Sequence, residues 1–137
     1  MPGQQFQFIL LFAFLLSVSL PGNAGAQNKV ALQGKWRAVE ATSNGEPPPA
    51  GMLEKLTLVF VSEIVSAMGS SPTRFTIDTS FTPAHIDILN SRRQVGIYEL
   101  KGDALKLCVG TDGDRPKAFR TEQYTDHTYM LLKRVTE

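Results

Sequence analysis

One cysteine, Cys108, stands in the 137 residues, so no intramolecular disulfide can staple the fold in any compartment. Two readings of that thiol stay open: a small apolar residue in a strand, or a reactive or intermolecular group. Charge is missing from residues 1–26, which hold no Lys, Arg, Asp or Glu. All 14 basic and 13 acidic residues therefore fall in residues 27–137, for a formal net charge of +1 and no long run of one sign. That distribution offers no electrostatic footprint for nucleic acid or for an anionic membrane surface. The chain also lacks a Gly-x-Ser-x-Gly elbow and a Gly-rich phosphate cradle, and it has only two histidines. After residue 26 there is no helical pattern of standard length and no internal repeat.

What the first segment does contain is apolar. Fifteen of residues 1–26 are hydrophobic, concentrated in Phe8-Ile9-Leu10-Leu11-Phe12-Ala13-Phe14-Leu15-Leu16 and fading towards Leu20. Pro21-Gly22 breaks the run, and Ala24-Gly25-Ala26 supplies the small-x-small pattern of a signal peptidase site. The reading is a signal peptide over residues 1–26 with cleavage before Gln27, and hence export to the periplasm or beyond the cell. The segment Met1 to Gln7 departs from the usual pattern in having no basic side chain, which leaves the terminal amine as its positive charge. A run this short falls below the ~20 residues needed to span a bilayer, so no stable membrane insertion is expected after cleavage. No Cys lies near the cleavage site to carry a lipid. The remaining 111 residues suffice for one domain, which can bury about two thirds of its unfolded surface without metal or disulfide support.

That domain reads as all-β. Leu32 to Ala41 sets Trp36 and Ala38 against Lys35 and Arg37, with Val39 breaking the alternation. Ser43 to Pro49 then forbids a strand, because three consecutive prolines supply no ladder donors and Asn44-Gly45 favours a turn. Residues 50–55 form one helical turn or continue the loop. Leu56, Leu58 and Phe60 share a face at period two, and a third strand is expected from Glu63 to Met68. Phe75, Ile77 and Thr79 form the next inner face, and Ile86 and Ile88 the one after, which turns His85 and Asp87 outward. Gln94 to Leu100 and Ala104 to Val109, joined through Lys101-Gly102-Asp103, make the clearest hairpin, with Leu105, Leu107 and Val109 on one side. A short strand is expected over Lys117 to Glu122. The last strand, Thr128 to Val135, carries Tyr129, Leu131, Lys133 and Val135 on one side. Eight or nine short strands at roughly ten-residue spacing point to a sandwich or a barrel.

The blocks Leu32-Gln33-Gly34-Lys35-Trp36, Asn44-Gly45-Glu46-Pro47, Leu56 to Phe60, Gly96 to Cys108 and Leu132-Lys133-Arg134 recur in order and spacing in a known family. The chain resembles the planctomycete-type small secreted domains of unknown function that are grouped with lipocalin-like barrels. The likeness covers residues 31–135, with Gly96 to Cys108 its most specific part. It implies a small antiparallel lipocalin-like β-barrel of about eight strands over residues 27–137, a secretory habit and no established activity. A Gly-Asp turn is usual in that family where this chain has Val61-Ser62-Glu63-Ile64. Gly34-x-Trp36 in the first strand and a basic residue in the last suit barrel closure by a cation over the indole, from Arg134 or Lys133, worth ~0.5–2 kcal/mol. The alternative is that Trp36 is simply a large core residue.

Local chemistry is sparse. His85 and Asp87 could begin a metal site or an acid–base pair, but a metal needs three or four ligands, and the other histidine, His127 beside Asp126, falls in a different strand. Asp112-Gly113-Asp114 resembles the start of a calcium loop whose twelfth position falls on Gln123. Ser70, Ser71 and Ser91 have no local activating signature. Trp36, Tyr98 and Tyr129 are the candidate ligand-contacting residues, and Tyr124 is a further aromatic. The expectations are no enzyme, no cofactor, no metal site and no nucleic-acid partner. They leave a barrel that binds one small apolar ligand, or a filled barrel that serves as an extracellular interaction scaffold through its loops at 43–52 and 110–116.

Overall fold

The computed structural model describes residues 24–67 and 70–136, so most of the expected signal peptide lies outside the described residues. A helix, α1 (Ala24–Leu32), leads into β1 (Gly34–Ser43), a 3-10 turn (Leu53–Lys55), β2 (Thr57–Val61), β3 (Ile64–Ala67), β4 (Thr73–Asp78), β5 (Ala84–Ile88), β6 (Gln94–Lys101), β7 (Ala104–Gly110) and β8 (His127–Arg134). Each strand pairs antiparallel with the next, and β8 returns to β1, so the sheet closes as an eight-stranded meander barrel. Closure removes the unpaired edges that a sheet this narrow would otherwise expose.

The period-two faces explain the core. Trp36, Ala38, Leu58, Phe60, Val65, Phe75, Ile86, Tyr98, Leu105, Leu107, Val109 and Leu132 form one buried cluster inside the barrel. Phe60 and Phe75 meet edge to face with centroids 5.1 Å apart. The break at Val39 is a register shift between Ala38 and Glu40 in the β1–β8 ladder, which leaves Val39 and Glu40 both exposed after the inward Trp36 and Ala38. Gly96 has a structural reason: a side chain there would collide with the Cys108 carbonyl and the Val109 side chain on β7.

Three sequence expectations are corrected. Leu32 ends a helix rather than starting a strand, and α1 crosses the expected cleavage point before Gln27. Its Asn28, Lys29, Ala31 and Leu32, which bond to the rest of the fold, lie after that point. Residues 117–122 form no strand; they belong to the β7–β8 loop over residues 111–126. On β8 Met130 and Leu132, opposite Leu107 and Leu105, face inward, so the shared side of Tyr129, Leu131 and Lys133 is the outer one. The third strand begins at Ile64, with Glu63 in the preceding turn, and Met68 lies outside the described residues. At Val61-Ser62-Glu63-Ile64 the hairpin closes without glycine, with Ser62 at φ 57. The Gln33 side chain holds that turn, accepting from Ser62 N at 2.6 Å and donating to Ser62 O at 3.0 Å.

The end of the barrel where β1 starts is sealed. Helix α1 leaves carbonyls without intrahelical partners at its C-terminus, and Arg134 supplies the donors: Nη2 to Ala31 O at 2.8 Å and Nη1 to Gln33 O at 2.8 Å. Its Nε reaches Asp103 Oδ1 at 2.9 Å, and its guanidinium carbon sits 4.3 Å from the Trp36 ring centroid. Trp36 Nε1 donates to Leu32 O at 2.9 Å, and Tyr98 Oη to Asn28 Oδ1 at 2.9 Å. Gly34 makes room for this arrangement, with φ 118 and Arg134 Nη1 3.3 Å from where a Cβ would lie. Arg134→Met keeps the stem but strands the Ala31 and Gln33 carbonyls, and is expected to cost about 2–3 kcal/mol in urea unfolding. Arg134→Lys, which retains a cation but not the planar fork, is expected to lose about half as much. Equal stability of all three proteins would refute the role given to the guanidinium.

Candidate functional site

The opposite end of the barrel stays open, where the turns β1–β2, β3–β4, β5–β6 and β7–β8 gather. Inside it lies a cavity of about 340 Å³. Its apolar wall comes from Leu58 on β2, Val65 on β3, Ile88 on β5, Leu107 and Val109 on β7 and Met130 on β8. Ser70, Ser71 and Thr73, together with Asn90, Gln94 and Thr128, give it hydroxyl and amide groups. No charged side chain among the described residues lines it. Its polar groups are partly committed to one another. Asn90 Nδ2 donates to Gln94 Oε1 at 2.8 Å, Thr128 Oγ1 and Ser43 Oγ lie 3.2 Å apart, and Ser70 Oγ donates to Ala67 O at 3.1 Å.

Of the residues picked from the sequence, none of Trp36, Tyr98 and Tyr129 lines this cavity. Trp36 and Tyr98 are buried at the sealed end, engaged with Leu32 and Asn28. Tyr129 lies on the outer side of β8, opposite Cys108, with its ring 6.5 Å from that of Phe119 in the β7–β8 loop. The structure does bring Trp36 and Arg134 together, while Lys133 is exposed on the other face of β8. Sequence reasoning missed Asn90, Gln94, Thr128 and Met130. Their signal was parity: Gln94 is two and four residues from Gly96 and the inward Tyr98, and Thr128 and Met130 share a face with Leu132.

The β7–β8 loop forms a second layer over the outside of β5, β6 and β7. Arg115 Nη1 donates to Gly96 O at 2.9 Å and stands 2.8 Å from Asp87 Oδ1, which receives no aligned hydrogen bond and so contributes charge alone. Beneath the loop Ile97 and Cys108 are buried although they face out of the barrel. Cys108 Sγ points to Arg120 O at 3.6 Å, and burial raises its thiol pKa above the ordinary value. A depression of about 290 Å³ in this layer holds Asp114 and Glu122, but His127 Nε2 already meets Asp114 Oδ2 at 3.0 Å and Arg120 meets Glu122 at 3.5 Å. His85 stacks on Phe81 at 3.8 Å, and Asp78 is held below the usual carboxylate range by the hydroxyl and N–H of Ser80. Asp112-Gly113-Asp114 is a turn with Asp112 at φ 55. Among the described residues no three of His, Cys, Asp and Glu converge as a metal site would require.

No family model matches the chain, and neither a curated protein nor a solved structure matches it. The class therefore rests on the fold itself, a closed antiparallel meander barrel sealed at one end.

Burial at that seal pushes the Tyr98 phenol up to about 12 from 10.0. Above pH 10 the unfolded chain loses this proton first and binds fewer protons than the folded one, so stability falls as pH rises from 10 towards 12, by on the order of 2 kcal/mol. Tyr129 and Cys108, also raised by burial, act with the same sign. Urea midpoints at pH 9 and pH 11 are expected to drop less in Tyr98→Phe than in the parent. An identical drop would mean that Tyr98 does not carry the alkaline sensitivity.

Proposed function

We propose that this protein is an exported binding module that holds one small, predominantly apolar molecule in the open end of its barrel, and that it is not an enzyme. The observation that carries this reading is the cavity of about 340 Å³ walled by Leu58, Val65, Ile88, Leu107, Val109 and Met130. With water occupying ~30 Å³ in the liquid, that space suits an occupant of about ten non-hydrogen atoms. The sealed opposite end makes it a blind cup rather than a channel, so a ligand enters and leaves by one mouth. The apolar run ending at Ala24-Gly25-Ala26 and the resemblance to small secreted lipocalin-like domains support export.

A second reading, the interaction scaffold, draws on a different observation. The β1–β2 and β7–β8 loops are stitched together, Gly45 N to Thr121 Oγ1 at 2.9 Å and Thr125 N to Asn44 Oδ1 at 3.1 Å, and present Tyr124 with 92% of its surface exposed. An aromatic side chain held out on a braced loop suits recognition by a protein partner.

Native mass spectrometry of the protein purified gently from its host's exported fraction separates the two. An excess mass that vanishes on denaturation is the expected result; a bare chain mass throughout would overturn the cavity reading and favour the scaffold. Ala67→Phe, which fills the mouth from an exposed inward position, is expected to abolish the excess mass while changing stability by less than about 1 kcal/mol.

A further inference from the structure

The polar side of the cavity has a direction that hydrogen-bond logic fixes. The backbone N–H of Arg92 can only donate, and it lies 3.1 Å from Asn90 Oδ1, which must therefore be the oxygen of that amide. Asn90 Nδ2 is then the donor to Gln94 Oε1 at 2.8 Å. Gln94 thus spends its oxygen on Asn90, and its Nε2 keeps two N–H donors that meet no acceptor among the described residues. Gln94 lines the cavity, beside the apolar wall already described. The Ser70 hydroxyl donates to Ala67 O and that of Thr128 meets Ser43, while those of Ser71 and Thr73 are rotors that can donate or accept, so the Gln94 amide is the donor whose direction the network fixes.

Charge complements this picture by its placement. Arg92 and Arg93 follow Asn90 in the β5–β6 turn, but both are exposed and neither belongs to the lining. A carboxylate inside the cup would lose its hydration without gaining a cation, whereas a neutral acceptor would gain the Gln94 donors.

Resting on the binding reading above, we propose that the cup selects uncharged amphiphiles: molecules of about ten non-hydrogen atoms with an alkyl body and one carbonyl-type acceptor, a ketone, ester or lactone, bonded to Gln94 Nε2. The alkyl body lies against Leu58, Val65, Leu107 and Met130, and the acceptor sits near the β5–β6 turn.

The test compares three probes of matched length, 2-nonanone, nonane and nonanoate, by titration of the 15N-labelled chain with the Gln94 side-chain NH2 resonances as reporter. The expected order places 2-nonanone first, up to about tenfold tighter than nonane, with a downfield shift of the Gln94 amide protons and nonanoate weakest. In Gln94→Leu the advantage of the ketone over the alkane is expected to disappear while nonane still binds. Equal affinity for 2-nonanone and nonane in the unaltered chain would overturn the assignment of Gln94 and leave the binding reading standing. Tightest binding of nonanoate would overturn it in favour of the turn arginines. Failure of all three to bind would instead overturn the binding reading itself.

Discussion

Arg134 is where the two extremities of the barrel strands meet. Its guanidinium lies over Trp36 of β1, donates to the last carbonyls of α1 and reaches Asp103 in the β6–β7 turn. One planar cation thereby joins four separate parts of the chain: the first strand, the helix, a hairpin turn and its own last strand. Each of those contacts is ordinary in strength, ~1–3 kcal/mol for a hydrogen bond to a charged group and ~0.5–2 kcal/mol over an indole. Their effect comes from geometry. A ladder from β8 to β1 closes the sheet only if the strand ends are held in register, and the guanidinium fixes that register at the point where no loop connects them. Because helix α1 is docked by the same group, closing the sheet and plugging one end are a single event.

Much of this architecture was legible in residue order. Alternation placed Phe75 with Ile77, Ile86 with Ile88, and Leu105 with Leu107 and Val109, and all of these turn inward or pack against the core. Even the break at Val39 marks the bulge in β1. Parity is a local property, so it survives without knowledge of the fold. Helix α1 was not legible because its nine residues include Gly25, Gln27 and Asn28 and have no pronounced apolar stripe; it is held by tertiary docking through Leu32 and Asn28 rather than by propensity. The outer layer was hidden for a similar reason. Residues 111–126 are held by scattered long-range bonds, Arg115 to Gly96 O, the N–H groups of Asp112 and Gly113 to the β5–β6 turn, and Thr121 and Thr125 to the end of β1 and the turn after it, and such contacts leave no periodic trace. Ile97 and Cys108 are consequently buried on a face that alternation alone assigns to solvent.

The aromatic residues sit where they do for a physical reason of their own. Large aromatic side chains suggest a ligand pocket because they offer area and a polar handle, but in a narrow barrel the same properties make them good stoppers. Trp36 and Tyr98 turn their polar atoms to Leu32 O and Asn28 Oδ1, so both handles are spent on the helix. Neither side chain lines the cavity at the open end.

Why an eight-stranded barrel of this size keeps a cup at all follows from the order of its inward residues. From the sealed end to the open one, β6 presents Tyr98, Gly96 and Gln94, β8 presents Leu132, Met130 and Thr128, and β7 presents Leu105, Leu107 and Val109. On three neighbouring strands the side chains shrink or become polar in the same direction, and β3 ends in Val65 and Ala67. Barrels of eight strands are just wide enough for side chains to fill, so a layer built from Gly, Val, Ala and Thr leaves space that the layer of Trp, Tyr and Phe does not. The cup is thus a gradient in side-chain volume along the barrel axis, and its polar rim is the last step of that gradient. Glycine at position 96 lets β7 approach closely, because any side chain there would meet the Cys108 carbonyl and Val109.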